Sequence, residues 1–490
     1  MIKNKKIRDI FWNLFGGGLN GVLIVLATPI YIEHLGLIGY AYITKWIMLQ
    51  ALVVILDFGM GATLNREFAS STHGSIKKRS ELFKTLEPVY WILAVVAGLT
   101  YFILAFSNGM GIVAYPHIFD EYGWATLFLT TSVVFQLPAS MYISALYGFE
   151  CHKLINFIQI STNILRYFGG VLMLISGYGI LSFFTWQAII SVCQALYIRK
   201  KTIEIAGIEL SNYFNFTILK NIWRYSAGMA ITTGLSIILA NLDRILLDNF
   251  VSNSDYGRYG LAFTAVGLIQ LSIQPFYKVY FPRYTQIFVL NDLKKLQDEY
   301  DESTKILAIL LLGIAITSFI YAPSLFAVWL GDSDTKVVLI FRLLLIGIGC
   351  SALSWLPAAL QQAYGVTRFH AALVAISIII GAPLAYMSIE KYGVLGGAVV
   401  WLVHGFIYIS VGLWATHKYI LKNNYFRWIM KIILPPLMVD LLVGFLSNKL
   451  YNEAFSNPIK LVWMVFVCLL MLIISYALQK YLIKKNYQYA

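Results

Sequence analysis

Four basic residues, Lys45, Arg166, Arg244 and Arg342, stand inside long apolar runs, and Asp57, Asp243 and Asp248 stand in similar runs with the opposite sign. A charge in a lipid-spanning helix costs roughly 2.5–3.5 kcal/mol on insertion scales, so it faces either a partner or a wet cavity. Arg166 is the deepest cation; it faces a cavity or pairs with an acid such as Asp57. Lys45 and Arg342 lie within one or two turns of a span end, where a long stem could also carry the charge out to the headgroups. Adjacent Asp243 and Arg244 read either as a structural pair or as cavity groups. Asp57, in Leu56-Asp57-Phe58-Gly59-Met60-Gly61, is a candidate for ion coupling together with Asp243; it could equally satisfy backbone or pair with Arg66. His404 reads as a packed, hydrogen-bonded ring or as a proton relay, and Asp440 as peripheral.

A second pattern is uncharged. Gln270 and Gln274 are four residues apart and share a helix face, with Tyr277 one further turn along. Such a stripe suits a path lined for sugar, and it suits interhelical hydrogen bonding equally. Pro29, Pro138, Pro275, Pro357 and Pro383 interrupt apolar runs, where proline removes a backbone donor and bends the helix.

Other chemistries leave no trace. No Gly-x-x-x-x-Gly-Lys-Ser/Thr loop occurs, so ATP hydrolysis through a P-loop is not expected. The acids and bases of the outer loops, His117, Asp120, Glu121, Glu453 and two lysines, are scattered and form no general acid/base pair. Cys151, Cys193, Cys350 and Cys468 lack paired spacing, so neither a disulfide framework nor a metal site is expected. The sequon Asn215-Phe216-Thr217 falls on the side assigned below to the cytoplasm and is discounted.

The elements that must position these groups are membrane helices. Of 490 residues, 59% are hydrophobic and 12% charged, about half the charge of a soluble domain. About fourteen apolar stretches are long enough to span, each needing roughly 20 residues. They are apolar all round, not in the alternation of a membrane β-barrel. With the N-terminus in the cytoplasm, 28 of the 37 Lys and Arg fall on cytoplasmic ends and loops. Five, Arg258, Lys336, Lys391, Lys449 and Lys460, fall outside, and the four named at the start lie within spans. That bias is a positive-inside signal, and it places both termini in the cytoplasm. The basic N-terminus is read as leading a retained first helix and not a cleaved signal, because the apolar run is too long and lacks a small-residue cleavage site. Clustered nucleic-acid-binding charge is absent, so the net charge of +13 is assigned to the membrane face.

The chain also repeats itself. Gly39-Tyr40 recurs as Gly257-Arg258-Tyr259 at an offset of 218, Arg66 as Arg283 and Tyr147-Gly148 as Tyr364-Gly365 at 217, and Tyr178-Gly179-Ile180 as Tyr392-Gly393-Val394 at 214. Landmarks in one order at nearly one spacing indicate a duplicated unit. The expected architecture is an all-α polytopic membrane protein: two six-helix bundles related by a pseudo-two-fold along the membrane normal, plus two C-terminal helices, with a cavity between the bundles. The expected boundaries are 1–200 for the first bundle, 201–221 for a cytoplasmic linker, 222–418 for the second bundle and 419–490 for helices 13 and 14. Gly39, Gly257, Gly148 and Gly365 are expected at hinges or turns.

Leu35-Gly36, Gly39-Tyr40 and the run Leu56-Asp57-Phe58-Gly59-Met60-Gly61-Ala62-Thr63-Leu64-Asn65-Arg66-Glu67 resemble the start of the polysaccharide-transport flippases. Asn241-Leu242-Asp243-Arg244-Ile245-Leu246-Leu247 with Tyr256-Gly257 and Tyr259 resembles the second-half counterpart, and Tyr147-Gly148 with Asn156 the helix 4–5 junction. These are the Wzx-type O-antigen and capsule flippases of the multidrug/oligosaccharidyl-lipid/polysaccharide exporter superfamily. Length, helix number and the six-plus-six-plus-two plan extend the resemblance over nearly the whole chain. It implies translocation of undecaprenyl-pyrophosphate-linked oligosaccharide from the inner to the outer leaflet of a bacterial cytoplasmic membrane by alternating access. It implies no cofactor beyond an H+ or Na+ gradient, and partners limited to that substrate, the bilayer and other glycan-assembly membrane proteins, with no nucleic acid. A pyrophosphate crossing a low-dielectric core needs fixed cations, which makes Arg166, Lys45, Arg244 and Arg342 its candidate ligands, with Gln270, Gln274 and Tyr277 facing sugar. A drug/cation antiporter, a lipid II flippase and, from a different class, a membrane-embedded glycan polymerase are the alternatives.

Overall fold

A computed structural model describes residues 2–70, 76–106, 121–208, 214–290 and 292–488. His117 and Asp120 therefore lie outside the described residues, as does part of the 201–221 segment. Among the described residues the chain is helical and carries no strand. The helices, in order, are α1 (Ile2–Val53), α2 (Met60–Ser70), α3 (Ile76–Phe106), α4 (Glu121–Gly148), α5 (His152–Ile175), α6 (Ile180–Ala206), α7 (Phe216–Leu247), α8 (Asn253–Val289), α9 (Leu293–Ile320), α10 (Ala322–Leu330), α11 (Thr335–Ala352), α12 (Trp355–Ala363), α13 (Thr367–Tyr392), α14 (Val399–Ile407), α15 (Leu413–Ala415), α16 (Tyr425–Trp428), α17 (Leu434–Leu450) and α18 (Asn457–Gln488).

Eleven stretches among the described residues are long and apolar enough to cross a membrane. Three of them are interrupted, Thr335–Ala363 at Leu353–Ser354 between α11 and α12. Leu23–Asp57 contains Gly36, whose φ of 64° and ψ of −174° break α1 into two rods. Only glycine takes that conformation without strain, so the turn between the first two spans sits at Gly36. Phe369–Leu421 contains the six-residue 3₁₀ turn Gly393–Ala398. The stretches differ in how much protein covers them: 17% of the apolar window in Arg79–Ile103 is buried, against 67% in Thr335–Ala363. Exposed Ile92, Ile103, Phe157, Phe168, Met387 and Val462 have the character of a lipid-facing surface, since water would not tolerate such a coat.

The chain forms two compact units, Met1–Gly257 and Arg258–Ala490. In the first, Met60, Leu64, Phe83, Leu86, Tyr90, Met141, Tyr142 and Ile158 make one core. The unit extends to Gly257 because the first turn of α8 packs on α1. A Cβ on Gly257 would lie 2.1 Å from the Leu37 carbonyl oxygen. Gly257 is thus a close-approach residue inside a helix, and Gly39 is likewise helical. The turn glycine of the first landmark is Gly36, and the hinge expected at Gly39 and Gly257 is corrected accordingly. Gly365, by contrast, has φ of 74° and follows α12, as expected of a turn.

In the second unit, Tyr284, Tyr300, Leu307, Leu311, Leu356 and Leu360 form one core, and Tyr321, Met464, Val467 and Met471 a smaller one that seats α18. Asp334 caps α11 through the backbone N–H of Lys336 and Val337 and pairs with Arg258 at 2.5 Å. Burial pushes its carboxyl up, but these hydrogen bonds outweigh burial and hold it below the ordinary carboxylate range.

Candidate substrate and ion sites

The first unit gathers three polar clusters within its apolar helices. The first centres on Lys45 of α1. Its Nζ lies 2.6 Å from Asp248 Oδ1 and donates to Asn253 Oδ1 at 3.1 Å. The side chains of Lys45 and Asp248 are 4% and 3% exposed, so the pair is shut away from headgroups. The rings of Tyr256 and Tyr42 lie 5.3 and 5.9 Å from the ammonium, close enough for their negative faces to stabilise it. The partner Asp248 belongs to neither reading of Lys45, a cavity cation or a stem carrying its charge to the headgroups. Asp248 follows the last turn of α7 and Asn253 begins α8, so the short connection Asp248–Ser252 clamps the lysine from both sides. Asp243 and Arg244 sit one turn earlier, both buried, with Arg244 Nε 3.9 Å from Asp243 Oδ1 and one Nη donating to the Ala240 carbonyl.

The second cluster surrounds a break in the backbone. After Val53 the chain makes one 3₁₀ turn, Val54–Asp57, and then two left-handed residues, Phe58 and Gly59, before α2 starts at Met60. Asp57 accepts from the Gly61 N–H at 3.1 and 3.2 Å and from the Tyr90 hydroxyl of α3. A Cβ at Gly61 would lie 2.8 Å from Ser144 Oγ and 2.9 Å from Asp57 Oδ1, so Asp57, Tyr90, Ser144 and bare backbone share one small space. Asp57 therefore satisfies backbone at the N-terminus of α2, where a carboxylate is favoured. Arg66 instead pairs with Glu67 at 2.9 Å.

The third cluster holds Arg166, in the middle of α5. One Nη donates to Ser191 Oγ at 2.9 Å and Gln194 Oε1 at 3.1 Å on α6, and the guanidinium lies 5.8 Å from the Trp46 ring. The Gln187 amide braces the Arg166 carbonyl at 3.2 Å. Neutral groups orient the guanidinium, and among the described residues no carboxylate pairs with it.

The remaining candidates lie in the second unit. Arg342 donates to the carbonyls of Phe319 and Ile320 at 2.9 and 3.4 Å, capping the C-terminus of α9, where a cation meets the negative end of the helix. Tyr277 donates to Gln362 Oε1 at 2.6 Å. Gln270 is half-buried and Gln274 exposed on α8. His404 contacts Ser377 Oγ at 3.1 Å and Tyr408 contacts His370 Nδ1 at 3.1 Å, so His404 has a hydrogen-bonded, packed setting. Asp440 accepts from Ser475 at 2.8 Å within α17 and α18.

Several partners are not legible locally. Asp248 is visible in the sequence as a charge, but nothing in its neighbourhood points to Lys45, which lies in the first helix of the chain. Tyr90, Ser191 and Gln194 carry no motif. Nothing in the sequence marks Glu87 of α3 either: it receives Arg199 Nε at 2.5 Å and Tyr142 Oη at 2.7 Å, tying α3, α4 and α6 together.

Comparison with known proteins bears on what these clusters serve. A family model described as polysaccharide biosynthesis protein matches residues 35–339. A Shigella flexneri protein named for O-antigen transport is 22% identical over 407 residues, covering 81% of this chain and 94% of that one. The teichuronic acid biosynthesis protein TuaB of Bacillus subtilis (strain 168) is 23% identical over 430 residues, covering 82% and 80%. Among solved structures, the lipid II flippase MurJ in an inward closed conformation superposes with a TM-score of 0.71 at 14% identity, over 96% of this chain and 99% of that one. At that identity the match speaks to the fold.

Proposed function

We propose that this chain, which belongs to the polysaccharide biosynthesis protein family, translocates undecaprenyl-pyrophosphate-linked oligosaccharide across a bacterial cytoplasmic membrane by alternating access. At the coarser level it is a polysaccharide flippase of the O-antigen transporter type and not an enzyme. The lipid-linked substrate, the direction from inner to outer leaflet, the inner membrane and cytoplasmic termini form the finer reading. The observation that supports it most is Arg166: a guanidinium deep in an apolar helix, oriented by serine and glutamine and left without a carboxylate among the described residues. A pyrophosphate leaving water meets a fork of donors already desolvated and positioned, so less ordering is lost on binding.

Lys45 takes a different part in this reading. Its charge is committed to Asp248, so it reaches phosphate only by exchanging one anion for another. That exchange gives the substrate a way to loosen the α7–α8 connection, a differential contact of the kind a two-state cycle requires. Asp57, beside an unwound backbone and a tyrosine, is the place for a coupling proton or Na+ in the first unit.

The test is surface glycan display with protein level controlled. Arg166→Ala should lower display by about tenfold or more, the loss of roughly 1.4 kcal/mol or more from the transport barrier, and Arg166→Lys should restore part of it. Full display by Arg166→Ala would remove the residue from the mechanism.

A further inference from the structure

The second unit carries a pocket that the translocation reading does not use. It has a volume of about 410 Å³ and is lined by Trp414, Lys418, Lys422, Asn423, Asn424 and Tyr425, with Phe426 at its edge. Two wide π-helical turns, Tyr408–Gly412 and Thr416–Leu421, flank α15, and the second supplies Lys418 to the pocket wall. Such turns are uncommon and recur at functional sites. The chain then reverses at Lys422, whose φ of 52° and ψ of 37° are left-handed, at a cost of about 1–2 kcal/mol for a side chain with a Cβ. This reversal brings Asn423 and Asn424 back toward Lys418.

The polarity of the pocket is one-sided. Buried His417 donates from Nδ1 to Asn423 Oδ1 at 2.6 Å, while Tyr300 lies 3.5 Å from its Nε2. Asn424 Oδ1 accepts from the Arg427 N–H at 3.1 Å. Both carboxamide oxygens are thus occupied, which leaves both Nδ2 groups as donors. Lys418 is held over Trp414 at 4.7 Å and Tyr419 at 5.3 Å, and among the described residues neither lysine of the pocket pairs with a carboxylate. Two ammoniums and two amide donors, set among tryptophan and tyrosine of the kind that favours the membrane interface, present donors without an opposing carboxylate among the lining residues.

We propose that this pocket binds a phosphate group, carried by a lipid headgroup or free in solution, at a site separate from Arg166. The whole chain, purified in detergent, is incubated with phosphatidylglycerol or with phosphate-free diacylglycerol, and retained lipid is counted by native mass spectrometry. The wild type should retain phosphatidylglycerol and not diacylglycerol. Lys418→Gln/Lys422→Gln should weaken retention about tenfold, and Lys294→Gln/Lys295→Gln should leave it unchanged. Asn423→Asp/Asn424→Asp keeps both oxygens that the fold uses and replaces both donors by negative charge, so it should lose retention while the protein elutes as wild type. Displacement of the lipid by millimolar inorganic phosphate would identify free phosphate as a sufficient ligand; persistence would assign the site to headgroups. Wild-type retention by both pocket double variants overturns the proposal.

Discussion

At two pairs of positions that the sequence spacing matches, the chain uses different chemistry. The helix that carries Asp57 is interrupted: a 3₁₀ turn and two left-handed residues separate it from α2, and the acid fills the gap with Tyr90 and the Gly61 N–H. Its counterpart at the repeat offset is Pro275, where α8 runs from Asn253 to Val289 without interruption. Likewise Arg166 on α5 is matched, at the same spacing of the repeat, by Pro383 within α13. Proline bends a helix by removing one donor and adds no charge. The second unit instead places hydrogen-bonded rings in its apolar helices, His370 with Tyr408 and His404 with Ser377. The first compact unit thus carries Lys45, Asp57, Arg166, Asp243, Arg244 and Asp248 in or beside its apolar helices, and the second carries Arg342 and Asp440. Electrostatic work on substrate or ion is expected to divide unequally between the two units.

The largest effect that would sharpen this comparison is expected at Lys45. Lys45→Met leaves Asp248 buried without its counter-ion, which costs about 3–5 kcal/mol, whereas replacing both partners by apolar residues is often neutral. Thermal unfolding in detergent should therefore show Lys45→Met far less stable than the wild type and Lys45→Met/Asp248→Met close to it. A stable double variant that has lost glycan display would make the pair part of the transport cycle. A stable single variant would show that the pair does not hold the first unit together.

Next in size is the pair Asp57→Asn and Pro275→Ala. Asparagine keeps an acceptor for Gly61 and Tyr90 but cannot exchange a proton or carry charge to a cation. Gradient-driven translocation in vesicles should fall about tenfold for Asp57→Asn, with little change in stability, and less than about twofold for Pro275→Ala. Equal losses would dissolve the distinction between the two breaks.

How far these features can be read from the chain depends on their range. The membrane-helical character of the chain and the depth of Arg166 within one helix follow from apolar run lengths, which are local and period-independent. The stripe Gln270, Gln274 and Tyr277 is visible as a spacing, yet the Tyr277 partner Gln362 belongs to a different helix and no spacing rule reaches it. Lys45 reads in sequence only as two alternatives, because the choice depends on Asp248 at the far end of α7 and on α8 packing close enough to α1 to need Gly257. Arg342 shows the converse: depth marks it as a cation to explain, while its role as a cap for α9 depends on which carbonyls its guanidinium meets.

The smallest expected effect bears most directly on the asymmetry. Tyr408→Phe removes the hydroxyl that contacts His370 Nδ1 at 3.1 Å, but keeps the ring that packs 4.4 Å from His404. Loss of one hydrogen bond with its shape preserved should cost about 1 kcal/mol of stability. If the second unit serves as frame, translocation per folded protein should be unchanged, since neither histidine then needs to exchange a proton through the tyrosine. A fall in translocation at unchanged stability would instead make His370, Tyr408 and His404 a proton path. The charge-bearing first unit would then lose its claim to be the one unit that couples transport to an ion.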